Sequence, residues 1–150
     1  MRVDKINYYL DIAQAVAQRG TCLRRNYGSI IVKNDEIIST GYTGSPRGKL
    51  NCIEIGKCIR NELGFKSGEG YSQCKSVHSE MNCIISASRQ EMLNSTLYIV
   101  GINAEDNSLN NSTECCSICK RLLMNAGIEK VIIRRTPTEY EVQYVKDWVL

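Results

Sequence analysis

Two short motifs constrain the fold of this chain more than any other feature. His78-Ser79-Glu80 opens one predicted helix and Cys116-Ser117-Ile118-Cys119 opens another, with a predicted strand and a loop between them. Side chains at i and i+3 differ by about 60° around a helix axis, so both cysteines can face one point. Side chains at i and i+2 differ by about 200°, so His78 and Glu80 can converge only where a helix begins. A fold that uses both motifs together has to bring two helix N-termini to one place.

The residue types at these helix starts predict a zinc centre. Two thiolates and one imidazole form a three-ligand tetrahedral site with an open fourth position for water, which is the catalytic arrangement. Helix N-termini favour the thiolate form of cysteine. We therefore predict that His78, Cys116 and Cys119 hold zinc and that Glu80 moves protons between the water and a leaving amine. The alternative, a core histidine and two buried apolar cysteines, does not explain the spacing together with the single histidine of the chain.

Cysteine usage and net charge indicate the cellular compartment of the protein and the class of ligand that it binds. The chain has 150 residues, eight cysteines and a formal charge of +3. Its first thirty residues contain no apolar stretch of signal-peptide or membrane-span length, so we expect a cytoplasmic protein without membrane association. Disulfides are rare in that compartment, so the cysteines are interpreted first as metal ligands or catalytic thiols. The length is typical of one domain, residues 1–150, and the small, scattered charge allows a phosphorylated small molecule as partner.

Hydrophobic periodicity predicts alternating helices and strands, which suggests a central sheet with helices on both faces. We expect a helix over 4–18, followed by a hairpin of strands 28–33 and 36–42 joined at Asn34-Asp35. A short helix within 53–63 and a helix from 78 to a stop at Asn94 come next. Strands over 96–100 and 130–134 then flank a helix that ends at Gly127. The last stretch, 139–150, is predicted as a helix, although it could also extend the sheet.

Five stretches, together with the two motifs, resemble the deoxycytidylate (dCMP) deaminase family of the cytidine deaminase-like superfamily. They are TCLR at 21–24, GSIIV at 28–32, STGYTGSPRG at 39–48, VHSEMN at 77–82 and NAGI at 125–128. The resemblance implies an α/β fold, a three-layer α/β/α sandwich with a five-stranded mixed sheet. It also implies zinc-dependent hydrolysis of dCMP to dUMP and ammonia, a homo-oligomer (hexamer or dimer), and dCTP and dTTP as effectors.

Three positions depart from the family pattern. Ser79 replaces the alanine of H-A-E, a position that the resemblance places against the pyrimidine through its backbone. Cys115 replaces the proline before the cysteine motif, and Cys115 with Cys119 could also chelate a metal. Thr43 stands where the family has an asparagine that holds the nucleoside. A hydroxyl cannot reproduce both ends of an amide, so this departure bears on substrate affinity and identity.

Two further groups of residues are candidates for binding. A phosphate dianion needs paired cationic donors, and Arg24 and Arg47 are favoured over Arg25, Lys49 and Lys75. Four other cysteines, Cys22, Cys52, Cys58 and Cys74, lie in segments where related deaminases carry a structural zinc. A second zinc would be bound by thiolates alone or with a carboxylate, and reduced loop cysteines without a metal are the alternative.

Alternative functions follow from the same residues. A deaminase could act on another free nucleotide or on a base in RNA or DNA. Nucleic acid is disfavoured because the longest basic runs are the pairs Arg24-Arg25 and Arg134-Arg135. A nucleotide-binding zinc protein with weak catalysis is a third hypothesis, suggested by the departures at Thr43 and Cys115. The presence of Glu80, which has no ligand role, argues against it.

Overall fold

A computed structural model describes residues 1–150 and contains one five-stranded mixed sheet. The strands are β1 (Arg25–Lys33), β2 (Glu36–Tyr42), β3 (Thr96–Asn103), β4 (Lys130–Arg134) and β5 (Tyr140–Tyr144), in the spatial order β2-β1-β3-β4-β5. Strands β3 and β4 are parallel and the other neighbours are antiparallel. The parallel pair requires a crossover connection, and a helix between β3 and β4 provides it.

Six helices accompany the sheet. They are α1 (Lys5–Ala17), α2 (Cys52–Ile55), α3 (Ile59–Glu62), α4 (Ser79–Ile85), α5 (Arg89–Met92) and α6 (Ser117–Ala126), with 3₁₀ turns at Tyr71–Gln73 and Val145–Asp147. None of these helices has the length and hydropathy needed to cross a membrane.

The core consists of two apolar layers, one on each face of the sheet. Helix α1 packs on one face, where Leu10 and Ala13 meet Ile30 from β1. Helices α4 and α6 pack on the other face, where Cys83 and Leu123 join a cluster that includes neighbouring Ile31. Successive side chains of a strand point to opposite faces, so an almost continuous apolar run in β1 serves both layers. This arrangement confirms the α/β, three-layer α/β/α fold with a five-stranded mixed sheet.

Glycines allow helices to approach both strands of the predicted hairpin. The hairpin itself turns at Asn34 and Asp35, whose φ values of 51° and 63° suit a two-residue turn of type I′. A Cβ at Gly28 of β1 would overlap the backbone of α1, and a Cβ at Gly41 of β2 would overlap the backbone of α4. The close approach at Gly41 places the start of α4 directly against the sheet.

Three predicted elements differ in the structure. The helix predicted from 78 to Asn94 is two helices, because Ser88 and Glu91 form a capping box that starts α5 after α4 has ended. The final stretch, predicted as a helix, is strand β5 followed by a 3₁₀ turn. Strand β4 would otherwise have an open edge, and β5 pairs with that edge along its whole length. The short helix predicted within 53–63 is two single turns, α2 and α3.

Candidate metal centre and catalytic cavity

The N-termini of α4 and α6 meet and bring three metal-binding side chains together. Nδ1 of His78 lies 3.5 Å from Sγ of Cys116 and 3.3 Å from Sγ of Cys119. The three ligand atoms all lie within 4.8 Å of one another, and no other set of three His, Cys, Asp or Glu side chains is as close. The structure therefore brings together the three residues that the motifs single out.

Both helix starts have the extended backbone of an N-cap residue. His78 caps α4 at φ −70° and ψ 154°, and Cys116 caps α6 at φ −69° and ψ 166°. Sγ of Cys116 also accepts a hydrogen bond from the backbone N–H of Cys119. An N-cap side chain turns back over the first helical turn, so the cap position of Cys116 brings it next to Cys119.

Hydrogen bonding gives the sulfurs of this cluster unequal acidity. The contact with Cys119 and the contact with His78 lower the pKa of Cys116 to about 4, against the opposing effect of burial. The same contact with Cys116 raises the pKa of Cys119, and burial adds to it. The pKa of His78 is raised, chiefly by its hydrogen bond with Cys116. A thiolate at Cys116 is therefore favoured even before any cation is considered.

The donor set and its spacing fit zinc. A tetrahedral zinc with two thiolates and an imidazole separates sulfur from nitrogen by about 3.6 Å, close to the two separations found here. Cys116 is half-buried and Cys119 is buried, so the sulfurs face the protein interior more than bulk solvent. His78, Cys116 and Cys119 are the residues that would hold the ion.

Cys115 lies beside this cluster without joining it. The close set of ligand atoms contains Cys116 and Cys119 but not Cys115. Burial raises the pKa of the Cys115 thiol well above its usual value, and the nearby Glu80 carboxylate raises it further. This placement favours Cys116 over Cys115 as the partner of Cys119.

Glu80 lies in the first turn of α4 with its side chain almost wholly buried. It is 4% exposed and still lines the same cavity as His78 and Cys116. Oε1 accepts a hydrogen bond of 2.9 Å from Oγ of Ser79, and Ser79 Oγ lies 2.8 Å from Oγ of Ser29 on β1. A carboxylate next to the metal-binding side chains can exchange protons with a water or substrate there.

A cavity of about 700 Å³, including its open mouth, lies in front of the cluster. The wall combines the catalytic candidates with cations, hydroxyls and rings: Cys22, Arg24, Arg25, Tyr27, Thr43, Arg60, Ser67, Tyr71, Cys74, Ser76, His78, Glu80, Glu114 and Cys116. Three guanidinium groups on one wall indicate an anionic ligand.

The predicted binding residues divide between two places. Arg24 lines the cavity, and its Nη1 is buried without a hydrogen-bond partner. Such an unpaired donor fits a ligand that brings its own oxygen atoms. Arg47 does not line this cavity and lies in a separate depression with Arg19 and Lys49. The expected contribution of Arg47 to phosphate binding therefore has no support in this chain's own cavity.

Thr43 lies at the cavity but its hydroxyl already has partners. Its Oγ1 accepts from the backbone N–H of Tyr27 at 3.0 Å and lies 3.5 Å from the Tyr27 carbonyl oxygen. Thr43 is 6% exposed. Its side chain therefore joins the segment after β2 to strand β1 more than it presents a hydrogen bond to a ligand.

Sequence reasoning missed an aromatic and cationic wall next to His78. The guanidinium carbon of Arg60 lies 4.7 Å from the centre of the Tyr71 ring, and the Tyr71 ring meets the His78 ring edge-on at 5.3 Å. Arg60 also donates to the carbonyl oxygen of Glu69. Arg60 lies in the predicted short helix and Tyr71 in a stretch without hydrophobic periodicity, so only the tertiary structure shows that the two side chains meet beside His78.

The four remaining candidate ligands surround a second cavity behind this wall. Cys22, Cys52, Cys58 and Cys74 all line it, together with Arg24 and Lys75. Burial raises the pKa of Cys52, and the other three cysteines raise it further because they lie nearby. The structure thus gathers the four cysteines, although their sulfurs are not as close as the atoms of the first cluster.

The fold and the site together define a class. An α/β/α sandwich that joins two helix N-termini at a His/Cys/Cys cluster with a buried glutamate has the H-x-E and C-x-x-C arrangement of zinc-dependent deaminases.

Comparison with known proteins supports this class. The model of the cytidine and deoxycytidylate deaminase zinc-binding region matches residues 3–135. The deoxycytidylate deaminase of Mycobacterium phage D29 is 32% identical over 136 residues, which cover 87% of this chain and 94% of the relative. The chain therefore belongs to the cytidine and deoxycytidylate deaminase zinc-binding family.

Other relatives are more distant. The deoxycytidylate deaminase of Schizosaccharomyces pombe is 29% identical over 126 residues, and the match covers 84% of this chain but only 35% of that protein. The crystal structure of dCMP deaminase from the cyanophage S-TIM5 in complex with dCMP and dUMP has a TM-score of 0.64 at 24% identity, covering 89% of this chain and 83% of that one. At this identity the structural similarity supports the fold.

Proposed function

We propose that this protein hydrolyses dCMP to dUMP and ammonia with a zinc ion held by His78, Cys116 and Cys119. The observation that carries the proposal is the buried carboxylate of Glu80 beside that cluster, in a cavity with three arginines. The relatives named deoxycytidylate deaminase add support, above all the phage D29 protein, which matches nearly its full length.

In the proposed reaction a water oxygen replaces the amino group at C4 of the pyrimidine. Zinc, when bound, supplies the acidity that lets a water ionise near neutral pH. Glu80 accepts one proton from the attacking water and passes it to the ring nitrogen N3. It then carries the remaining proton of the C4 hydroxyl to the amino nitrogen, which leaves as ammonia as the C4 carbonyl forms. Burial of Glu80 keeps bulk water away from the carboxylate during these transfers.

The arginines of the cavity wall are proposed to bind the 5′-phosphate. Arg24 has a buried Nη1 without a partner, and Arg25 and Arg60 line the same wall. Guanidinium groups bind phosphate through paired hydrogen bonds. The hydroxyl of Thr43 is already hydrogen-bonded to the backbone of Tyr27, so groups other than Thr43 have to hold the deoxyribose. Another free nucleotide, with a different sugar or base, is therefore the alternative substrate.

A substrate panel tests this function. Ammonia release is measured with zinc-loaded protein on dCMP, CMP, deoxycytidine, cytosine, an adenine nucleotide and single-stranded DNA and RNA. We expect dCMP to react fastest and deoxycytidine to react with a higher KM, because it lacks the phosphate. Release from CMP alone would reassign the sugar specificity. A zinc-loaded protein that leaves every cytosine nucleotide intact would refute the proposal.

We further propose a second, structural zinc bound by Cys22, Cys52, Cys58 and Cys74. All four line one cavity, and two of the sulfurs accept hydrogen bonds from the backbone N–H two residues later. Those contacts are Arg24 N to Cys22 Sγ at 3.3 Å and Ser76 N to Cys74 Sγ at 3.4 Å. Such N–H groups would also hydrogen-bond the sulfurs of a zinc site and so hold the ligands in place.

Counting zinc per chain tests the second site. We expect about two ions in the wild type and about one in Cys52→Ser, whereas one ion already in the wild type would support reduced cysteines without a metal. Cys83→Ser is the matched control, since Cys83 is a buried core cysteine outside both clusters and its replacement leaves the count unchanged.

Assembly, regulation and location are proposed from the family resemblance. We propose a homo-oligomer, either a hexamer or a dimer, with dCTP and dTTP as effectors and a cytoplasmic location. Exposed apolar side chains such as Leu50 at 64% and Ile85 at 66% support an interface between copies. Light scattering of the purified protein tests the assembly, and a monomer at micromolar concentration would contradict it.

A further inference from the structure

A buried chain of hydroxyl groups connects the central sheet to the carboxylate of Glu80. Ser79 Oγ lies 2.9 Å from Glu80 Oε1 and 2.8 Å from Ser29 Oγ. Both serines are fully buried and Glu80 is 4% exposed. A serine hydroxyl carries one proton and an ionised carboxylate only accepts, so Ser79 donates to Glu80 and Ser29 donates to Ser79.

We propose that Ser79 is a positioning residue for Glu80 and that Ser29 orients the Ser79 hydroxyl. The hydrogen bond holds Oε1, so the carboxylate keeps one orientation while it exchanges protons with the reactants. This inference rests on the proposed function, because it explains how Glu80 is held during that reaction. Alanine at position 79, the residue of the resembling family pattern, could not make this contact.

The terminal torsion of a glutamate is broad, so packing alone does not fix the plane of its carboxylate. A hydrogen bond from a buried donor is strong at such a site because the local dielectric is low. Ser29 is a firm anchor for this bond, since it lies on β1 opposite Gly41 of β2 and Ile99 of β3. Small errors in the placement of a catalytic group cost rate more than they cost binding.

A purely structural role for the hydroxyl is the competing explanation, and Ser39 offers a matched control for it. Ser39 is also a buried serine on a strand next to α4, at 8% exposure. Its Oγ donates to the carbonyl oxygen of Cys83 at 2.9 Å, and it does not contact Glu80. Loss of this hydroxyl removes a buried sheet-to-helix hydrogen bond of the same kind without touching the proposed proton carrier.

The experiment compares zinc-loaded wild type, Ser79→Ala, Ser29→Ala, the double variant and Ser39→Ala by kcat and KM for dCMP, zinc content and melting temperature. For Ser79→Ala we expect kcat to fall about 10- to 100-fold with KM and zinc content unchanged. For Ser29→Ala we expect kcat to fall about threefold. The double variant should match Ser79→Ala, because Ser29 acts through Ser79. Ser39→Ala should keep kcat while its melting temperature falls.

Retention of kcat within about twofold in Ser79→Ala would overturn the inference, and so would an equal loss of kcat in Ser39→Ala. If Ser79→Ala does not fold or loses zinc, Ser29→Ala decides, because it keeps every atom of the catalytic helix. Unchanged kcat in Ser29→Ala would then count against the inference. Wild-type protein that does not deaminate dCMP would refute the proposed function instead, and it is measured first.

Discussion

Nδ1 of His78 lies 3.3 Å from Sγ of Cys119, although the two residues are 41 positions apart in the chain. The contact joins the first turns of α4 and α6, which pack side by side on one face of the sheet. A single ion at this point would tie the two helices together. Metal binding and folding are therefore expected to be coupled in this protein.

Cys119→Ser tests that coupling. We expect loss of the zinc held at this centre and a lower melting temperature, because an ion that binds the native state and not the unfolded chain stabilises the fold. Chelation of the wild type should lower its melting temperature in the same direction. Cys83→Ala serves as the control, since it removes a buried thiol of the same core at a cost of about 1 kcal/mol and leaves zinc bound. Full zinc content in Cys119→Ser would contradict the assigned ligand set.

Arg135→Ala tests how the loop before Cys116 is held. The Arg135 guanidinium donates to the carbonyl oxygens of Asn111 at 2.9 Å and Thr113 at 2.6 Å, and to the Glu114 carboxylate at 2.6 Å. Its side chain is 22% exposed. We expect a loss of about 1–3 kcal/mol in the free energy of unfolding, measured by urea denaturation, and weaker zinc retention against a chelator.

Arg89→Ala is the matched control for this loop. Arg89 also donates to a backbone carbonyl oxygen, that of Asn125 at 3.0 Å, but it is exposed and distant from Cys116 in the chain. Its replacement should change the unfolding free energy by less than about 0.5 kcal/mol and leave zinc retention intact. Equal effects of the two substitutions would show that Arg135 has no special role at the metal centre.

Arg24→Gln tests the phosphate contact. Because Nη1 of Arg24 is buried without a partner at the cavity, we expect KM for dCMP to rise about 10-fold or more. The KM for deoxycytidine should stay the same, since that substrate has no phosphate. Arg47→Gln is the control, because Arg47 lies outside the cavity. A larger rise in KM from Arg47→Gln would restore the role predicted from the sequence, for example through a neighbouring copy of the chain.

Acid sensitivity is expected from Asp35 at the hairpin turn. Hydrogen bonds from Tyr9 and from Lys5 hold the pKa of Asp35 below its usual value of 3.8. A lowered pKa in the folded state stabilises the fold at pH values above 3.8 and loses that contribution as the pH falls through the folded value. The urea midpoint should therefore fall more steeply below pH 4 in the wild type than in Asp35→Asn or Tyr9→Phe. Identical slopes in all three proteins would contradict this.

The predictable part of the site is the part encoded by local geometry. Helix-start spacing placed His78, Glu80, Cys116 and Cys119 in one candidate centre, because side-chain direction at a helix start depends on few residues. The hairpin at Asn34-Asp35 was predictable for the same reason, since its turn type requires positive φ. Local signals of this kind can be interpreted without any knowledge of the tertiary structure.

The parts that were missed depend on distant contacts. Arg60 and Tyr71 meet because the chain between them turns back at glycines with positive φ, including Gly64 and Gly70, and that connection has no periodicity from which the contact could be predicted. The strand β5 was predicted as a helix because Val142 and Val145 have helical spacing. The segment forms a strand because it pairs with the open edge of β4, and that edge is visible only in the folded sheet. Arg47 was favoured for its nearness in sequence to the glycine-rich loop, and the loop directs it elsewhere.

Turnover of dCMP by Glu80→Gln, compared with the wild type at equal zinc content, tests the central claim most directly. The amide keeps the size of the side chain but cannot accept and return a proton, so kcat should fall by at least about 10²-fold with zinc still bound. Ammonia release by Glu80→Gln at a rate within a few-fold of the wild type would contradict the account, because the protons would then be moved by another group.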